Sequence, residues 1–231
     1  MSDMNRKNFF DRIRPMFYMS RMSTGQVRMV EAVLDGLGSR GIPLAQAAYI
    51  LATAFHEADQ FKTTTEYASG RAYEGRRDLG NTVKGDGVRF KGRGLVQITG
   101  RRNYTDWAKR LGVDIVAKPE LAAELQYAVP ILIEGMRLGT FTGKKLSNYI
   151  HGQKRDFVNA RRIVNGTDKA KMIAEYALRF HQALLLSGYD GKPHAVVIPP
   201  DVPDKQPENS FVKMLLALVE LIKSLFKGLR K

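Results

Sequence analysis

The stretch AYILATAFHEADQF, residues 48–61, places the pair His56-Glu57 at the end of an apolar helical pattern. The pattern opens at Pro43, a residue that is favoured at the first position of a helix. Its apolar residues recur at helical spacing and form one stripe: Leu44, Ala47, Ala48, Leu51, Ala54 and Phe55. The sequence therefore predicts a helix with His56 and Glu57 near its C-terminal end.

Helical patterns also dominate the chain on both sides of this stretch, and no internal repeat is found. The other expected helices run from Thr24 to a stop at Gly38, from after Gly100 to a stop at Gly112, from Pro119 through a kink at Pro130, and from a cap at Asp168 to Gly188. Between Gln60 and Gly100 the helical period disappears. There Thr63-Thr64-Thr65 and Val88-Arg89-Phe90 predict short strands among glycine-rich loops, and we expect a small β-hairpin.

Composition bounds the function of the chain. Its 231 residues allow one full domain with a short appendage, and 44% apolar residues are typical of a globular protein. The absence of cysteine excludes disulfides, thiol catalysis and cysteine-ligated metals. The formal net charge of +14 favours a polyanionic partner such as nucleic acid, anionic lipid or cell wall. Residues 71–110 carry much of this excess, which is also compatible with a simple solvated basic face.

The C-terminal part of the sequence differs in character from the rest. We predict a main domain over residues 1–188, a proline-rich linker over 189–209 and an amphipathic helix over 210–231. The narrow polar face of that helix favours an anionic membrane surface or a partner protein, and packing on the domain is the alternative. The N-terminus predicts no secretory signal, and no stretch is long and apolar enough to predict a membrane span.

Two familiar site patterns fail on inspection. His56-Glu57 begins like the zinc motif HExxH, but Gln60 stands where the second histidine is needed. Phosphate-loop spacing fails around Gly139 and Gly143, and the four histidines are far apart. We therefore expect neither a metal nor a cofactor.

Two carboxylates remain prominent, Glu57 at the helix end and Glu66 nine residues later. A glycosidase needs one protonated carboxyl for the leaving oxygen and one carboxylate that activates water or attacks the sugar. An apolar helix end would keep Glu57 protonated, and a polar strand would leave Glu66 ionised. By composition alone, a structural salt bridge explains two such glutamates better than catalysis does.

The surrounding motifs add a resemblance to a known family. The segments AYILATAFHEADQF, TTTEYASGRAYEGR, FKGRGLVQITGRRNY and NARRIVNG occur in an order that resembles the family-19 chitinase-like hydrolases, in particular their phage and prophage endolysin branch. The resemblance covers roughly residues 8–187. It implies a lysozyme-like α+β fold that is mainly α-helical, with a small β-hairpin lobe and a cleft.

Carried onto this sequence, the resemblance implies Glu57 as general acid, Glu66 as general base and Thr99 as the hydroxyl that holds the attacking water. The expected mechanism is inversion, which requires carboxyl groups roughly 6.5–9.5 Å apart. The remaining expected site residues are substrate-contacting or orienting positions: Gln97, Asn103, Tyr104, Asn165, Arg93 and His56. Structural roles stay open for them, notably core packing for Tyr104 and loop bracing for Arg93.

The resemblance implies a β-1,4 bond in an N-acetylhexosamine polymer as the target. The basic charge favours peptidoglycan over uncharged chitin, and muramidase cleavage is the first expectation. We expect a monomeric endolysin that stays in the host cytoplasm until a holin-type pore releases it to the wall. Chitin hydrolysis is one alternative, and a non-catalytic basic protein that binds wall or nucleic acid is another. No zinc-finger, RNA-binding or helix-turn-helix pattern supports nucleic acid.

Overall fold

A computed structural model describes residues 4–193, and within that range the chain is mainly α-helical, as predicted. Short 3₁₀ turns connect several of the helices, among them Arg71–Tyr73, Arg77–Leu79, Pro119–Ala123 and Asn159–Ile163. The α-helices are α1 (Arg6–Ile13), α2 (Thr24–Ser39), α3 (Leu44–Glu57), α4 (Asp86–Arg89), α5 (Arg101–Leu111), α6 (Leu125–Leu138), α7 (Leu146–Tyr149) and α8 (Ala170–Leu186).

Helix α3 is the centre of the core. Its residues 47–55 are all buried, and the helix packs along α8 more extensively than any other pair of described elements. Near its end the Phe55 ring meets Phe180 and Tyr176 edge-on, with centroids 5.8 and 4.9 Å apart. This aromatic packing anchors the last turn of α3, and with it the backbone of Glu57.

Several predicted helix ends are shifted. Helix α2 starts at a capping box formed by Ser23 and Gln26 and continues through Gly38 to Ser39. The prediction of one helix from Pro119 is wrong, because the extended backbone of Glu124 separates a 3₁₀ turn from α6. The predicted cap at Asp168 is also wrong, since Lys169 in a left-handed conformation precedes α8.

The predicted β-hairpin between Gln60 and Gly100 is wrong in position. Val88 and Arg89 belong to α4, and Thr65 makes only an isolated bridge with Arg93. A two-stranded antiparallel sheet occurs instead at β1 (Ile150–His151) and β2 (Lys154–Arg155), with Ile150 opposite Arg155 and His151 opposite Lys154.

Polar side chains, rather than strand pairing, organise the segment that was expected to be the hairpin. The fully buried Asn81 donates to Tyr73 O and accepts from the Arg101 N–H, both at 2.8 Å. Asp86, 1% exposed, accepts from the Val83 N–H at 3.0 Å and pairs with Arg101. These contacts satisfy backbone groups that a strand would have paired.

The predicted amphipathic helix over 210–231 and most of the predicted linker lie outside the described residues. At the start of that linker Tyr189 is buried, and its hydroxyl donates to Ile42 O at 2.8 Å. Over residues 4–193, every helix is too short or too polar to cross a membrane.

Candidate active-site cleft

An open cleft of about 680 Å³ lies where the end of α3 faces the 60–100 segment. Five of the predicted site residues line it, namely Glu57, Glu66, Gln97, Thr99 and Asn165. Asp59, Tyr67 and Tyr73 line it too, although the sequence had not singled them out. The fold thus places both predicted catalytic carboxylates in one cleft, together with Gln97, Thr99 and Asn165 from later parts of the chain.

Glu57 is the last residue of α3, and its carboxyl group forms an ion pair with Arg161. The expectation of purely apolar surroundings for this carboxyl is therefore wrong. The Arg161 side chain is 3% exposed and that of Glu57 is 19% exposed, so the pair is largely shielded from water. Arg161 also donates from Nε to Asp168 O at 3.1 Å. Arg161 contacts Oε1 of Glu57, and Oε2 accepts no hydrogen bond from the described residues.

Arg161 is a site residue that the sequence reasoning missed. It lies in the motif NARRIVNG, which drew attention only to Asn165 and Gly166. The available signal was the pair of adjacent arginines within this motif. Of the two, Arg161 is buried and Arg162 is exposed.

Glu66 is held by two hydrogen bonds to its carboxylate. Oε1 accepts from the Gly92 N–H at 2.8 Å, and Oε2 accepts from the Tyr73 hydroxyl at 2.9 Å. Burial raises the pKa of Tyr73, and the bond to Glu66 adds to this effect, so Tyr73 remains a donor at neutral pH. A side chain at position 92 would lie 2.9 Å from Gln97 Oε1 and 3.2 Å from Glu66 Cδ, which explains the glycine there.

Thr99 and Gln97 present polar atoms to the same cleft. The Thr99 hydroxyl donates to Gln97 O at 2.9 Å, which leaves its oxygen lone pairs available to accept a hydrogen bond. Gln97 has a left-handed backbone (φ 53°), and its Nε2 donates to Gly94 O at 2.8 Å. Its Oε1 is buried without a hydrogen-bond partner in the described structure. An unpaired buried acceptor is costly in the free protein, so a bound water or ligand that donates to it is favoured.

Asn165 lies at the rim of the cleft and is exposed. Its Oδ1 accepts a hydrogen bond from the N–H of Gly166 at 2.8 Å. Its Nδ2 donates to none of the described residues, so this donor is available to a ligand. Asn165 therefore combines a turn-forming contact with a cleft-lining position.

Four predicted site residues are not brought to the cleft wall. Tyr104 is fully buried, accepts from Arg93 Nη1 at 2.9 Å and donates to Lys91 O at 2.8 Å. Burial raises the pKa of Tyr104 to about 12. Arg93 therefore braces the loop beneath the cleft rather than pairing with a catalytic carboxylate. Asn103 is exposed and donates to Thr99 O at 2.8 Å, so it too supports the loop.

His56 precedes Glu57 but does not line the cleft. Burial lowers the pKa of its imidazole, against the opposing effect of the neighbouring Glu57 carboxylate, while Arg161 acts in the same direction as burial. A neutral imidazole beside an existing ion pair fits an orienting role better than a catalytic one. Among residues 4–193, the acidic and histidine side chains form no cluster of three that would hold a metal ion.

No family model matches the chain. A segment of 73 residues is 40% identical to a "Glycosyl hydrolase family 19 domain-containing protein" of Haemophilus influenzae, and this match covers 31% of the chain and only 36% of that relative. The fold is similar to that of chitinase C from Streptomyces griseus HUT6037, with a TM-score of 0.52, 17% identity, and coverage of 80% of this chain and 77% of that one.

The fold is therefore that of the chitinase-like, lysozyme-like class, mainly helical with a small antiparallel sheet. The matched segment is similar to part of a protein described as containing a family-19 glycosyl hydrolase domain, and the fold is similar to that of a chitinase.

Proposed function

We propose that the protein is a glycoside hydrolase that cuts β-1,4 bonds in the glycan strands of peptidoglycan, by acid/base catalysis with inversion. The observation that carries this proposal is the single cleft into which Glu57 and Glu66 both project, with Thr99 beside them. Two carboxyl groups across one cleft are the minimum that such hydrolysis requires.

The two carboxyl groups suit different roles because their partners differ. Glu57 has one oxygen engaged by Arg161 and the other available, so it is assigned to protonate the glycosidic oxygen. Both oxygens of Glu66 accept hydrogen bonds, an arrangement suited to a carboxylate that removes a proton from water. We assign the acceptor atoms of Thr99 and Gln97, which line the same cleft, to receive the other hydrogen of that water.

Charge favours peptidoglycan over chitin as the substrate. In residues 71–110 every acidic side chain is already engaged: Asp78 with Arg76, Asp86 with Arg101, Asp106 with Arg110, and Glu74 with the N–H groups of Gly85 and Gly87. Arg71, Arg77 and Lys84 are exposed and have no acidic partner in the described structure. Arg71 and Arg77 lie on the short turns that carry the cleft residues Tyr73 and Leu79. Such unpaired cations attract the carboxylates of peptidoglycan stem peptides, which chitin lacks.

Chitin is the second candidate substrate, because chitinase C from Streptomyces griseus has a similar fold. The biological role that fits peptidoglycan cleavage is that of a phage-type endolysin released from the host cytoplasm to the wall. In this role the predicted helix over 210–231 would adhere to anionic membrane.

The test of the proposed function is loss of turbidity of chloroform-treated Gram-negative cells, with mass spectrometry of the released fragments. Glu57→Gln should reduce the rate by about 10²–10⁴-fold, the usual contribution of general acid/base catalysis. Glu175→Gln, the same change at an exposed position of α8, is the matched control and should behave as wild type.

The outcomes separate the candidate functions. Clearing by wild type and by Glu175→Gln alone supports catalysis, and the reducing-end sugar of the fragments identifies the bond. Cleavage of chitin oligomers with no effect on cells would replace peptidoglycan by chitin as the substrate. Equal clearing by Glu57→Gln would contradict the acid assignment, and NMR showing retention of anomeric configuration would contradict inversion.

A further inference from the structure

The chain makes an unusual left-handed turn directly after Glu57. Asp59, Gln60 and Phe61 have φ values of 44°, 57° and 61°, a region that residues with side chains rarely adopt in succession. Tertiary contacts hold the turn: Gln26 Nε2 donates to Gln60 O at 2.9 Å, and the buried Phe61 ring packs against Phe55. Because of this turn, Asp59 lies in the wall of the cleft only two residues beyond Glu57.

Asp59 in turn positions an exposed aromatic side chain. The Tyr67 hydroxyl donates to Asp59 Oδ2 at 3.1 Å, although the Tyr67 side chain is 78% exposed. Lys62 also contacts Asp59, at 3.3 Å, and partly balances its charge. Tyr67 directly follows Glu66, whose N–H donates to Gly92 O at 3.0 Å, so the backbone beneath the ring is also held.

A second exposed tyrosine, Tyr18, shows that exposure alone does not fix the orientation of a tyrosine ring in this protein. Tyr18 is 77% exposed, but its hydroxyl has no hydrogen-bond partner in the described structure and its ring lies outside the cleft. Tyr67 has the same exposure, yet it lines the cleft and is fixed at both ends. Keeping a large apolar ring exposed and oriented beside Glu66 is unfavourable in water, and a ligand that covers the ring removes that cost.

We propose that Tyr67 and Asp59 form a sugar-binding subsite next to the two cleft carboxylates. A hexosamine ring has an apolar face of C–H groups and an edge of hydroxyl and acetamido N–H donors. The Tyr67 ring packs against the apolar face, and Asp59 accepts a hydrogen bond from the edge. This inference rests on the proposed glycan-hydrolase function and adds the residues that bind the sugar without taking part in proton transfer.

The test compares Tyr67→Ala, Tyr67→Phe and Asp59→Asn with wild type, and Tyr18→Ala is the matched control. Hydrolysis of soluble peptidoglycan and chitin oligomers gives kcat and KM. Tyr67→Ala should raise KM about ten-fold and leave kcat within about two-fold, because an aromatic contact contributes about that much to affinity. Tyr67→Phe and Asp59→Asn should each raise KM about three-fold, since the first removes and the second weakens one hydrogen bond while the ring is kept. Asparagine also tolerates the left-handed backbone at position 59.

A binding measurement separates this inference from the proposed function. Co-sedimentation with purified sacculi and with chitin, in the Glu57→Gln background, reports glycan binding without turnover. If wild type hydrolyses no glycan but Tyr67→Ala still weakens sedimentation, the hydrolase proposal fails and the sugar subsite stands. If wild type is active and Tyr67→Ala equals Tyr18→Ala in KM and in sedimentation, the subsite is refuted and the hydrolase proposal stands.

Discussion

The two glutamates of the cleft lie on two adjacent regions of the chain, α3 and the 60–100 segment, that are stabilised in different ways. Glu57 ends α3, whose residues 47–55 are continuously buried against α8 and the aromatic cluster at Phe55. Glu66 belongs to the 60–100 segment, where buried polar groups such as Asn81 and Asp86 determine the loop conformation. Apolar packing thus positions the backbone of Glu57, whose carboxylate pairs with Arg161, whereas hydrogen bonds position the Glu66 carboxylate. We therefore expect the two regions to respond differently to mutation.

The largest effect is expected at Arg161, which links Glu57 to the body of the domain. Arg161→Ala leaves the Glu57 carboxylate largely buried and unpaired, and should lower the unfolding free energy by about 3 kcal/mol. It should also lower kcat by about 100-fold, because the carboxyl loses its orientation. Chemical denaturation and oligomer hydrolysis measure the two effects.

Arg162→Ala, at the exposed neighbouring position, is the control and should change neither quantity. Equal behaviour of the two variants would show that the ion pair does not position Glu57. Arg161→Lys keeps the charge but loses the planar fork, so it should restore stability more fully than kcat.

The next largest effect is expected in the 60–100 segment, where the unfolding free energy should depend on pH. The main cause that holds the pKa of Asp86 below its usual value is the hydrogen bond from Arg101. A depressed folded-state pKa contributes stability above the unfolded-state value, near 3.9, and this contribution is lost as the pH falls through the folded-state pKa.

Asp86→Asn should therefore lower the unfolding free energy at pH 7 by about 2 kcal/mol. The difference from wild type should shrink as the pH falls below about 4. Asp106→Asn, which alters an exposed ion pair of 3.8 Å, should change stability little at any pH. A difference for Asp86→Asn that does not depend on pH would mean that its charge does not stabilise the loop.

The smallest effect is expected at Tyr73, which donates to Glu66. Tyr73→Phe removes one hydrogen bond from the carboxylate and should lower kcat about ten-fold, with an unfolding free energy within about 1 kcal/mol of wild type. A double-mutant cycle with Glu66→Gln gives the decisive comparison, because the Tyr73 effect should disappear once Glu66 is replaced. Additive effects would show that Tyr73 acts elsewhere.

The accuracy of the sequence predictions also differs between α3 and the 60–100 segment. In the apolar region, the 3.6-residue period predicted helix α3 and placed Glu57 at its end, as observed. In the 60–100 segment, β-propensity at Val88-Arg89-Phe90 predicted a strand, but helix α4 occurs there. The contacts of Asp86 with Val83 and Arg101 outweigh the local preference. Propensity describes a residue among its neighbours, whereas buried polar pairs join residues distant in sequence.

The sequence by itself determined the mainly helical class, the end of α3 at Glu57 and the motifs that carry Glu66, Gln97 and Thr99. Only the tertiary structure decided which partners these groups have. Arg161 lies 104 residues from Glu57, and no local pattern connects the two. Likewise, helical spacing placed Tyr104 on an apolar stripe without deciding between core and cleft, and packing against Phe90 buries it. Hydrophobic periodicity indicates which face of a helix or strand is buried. The contacts that orient a catalytic group depend on which distant residues pack against that face in the folded protein.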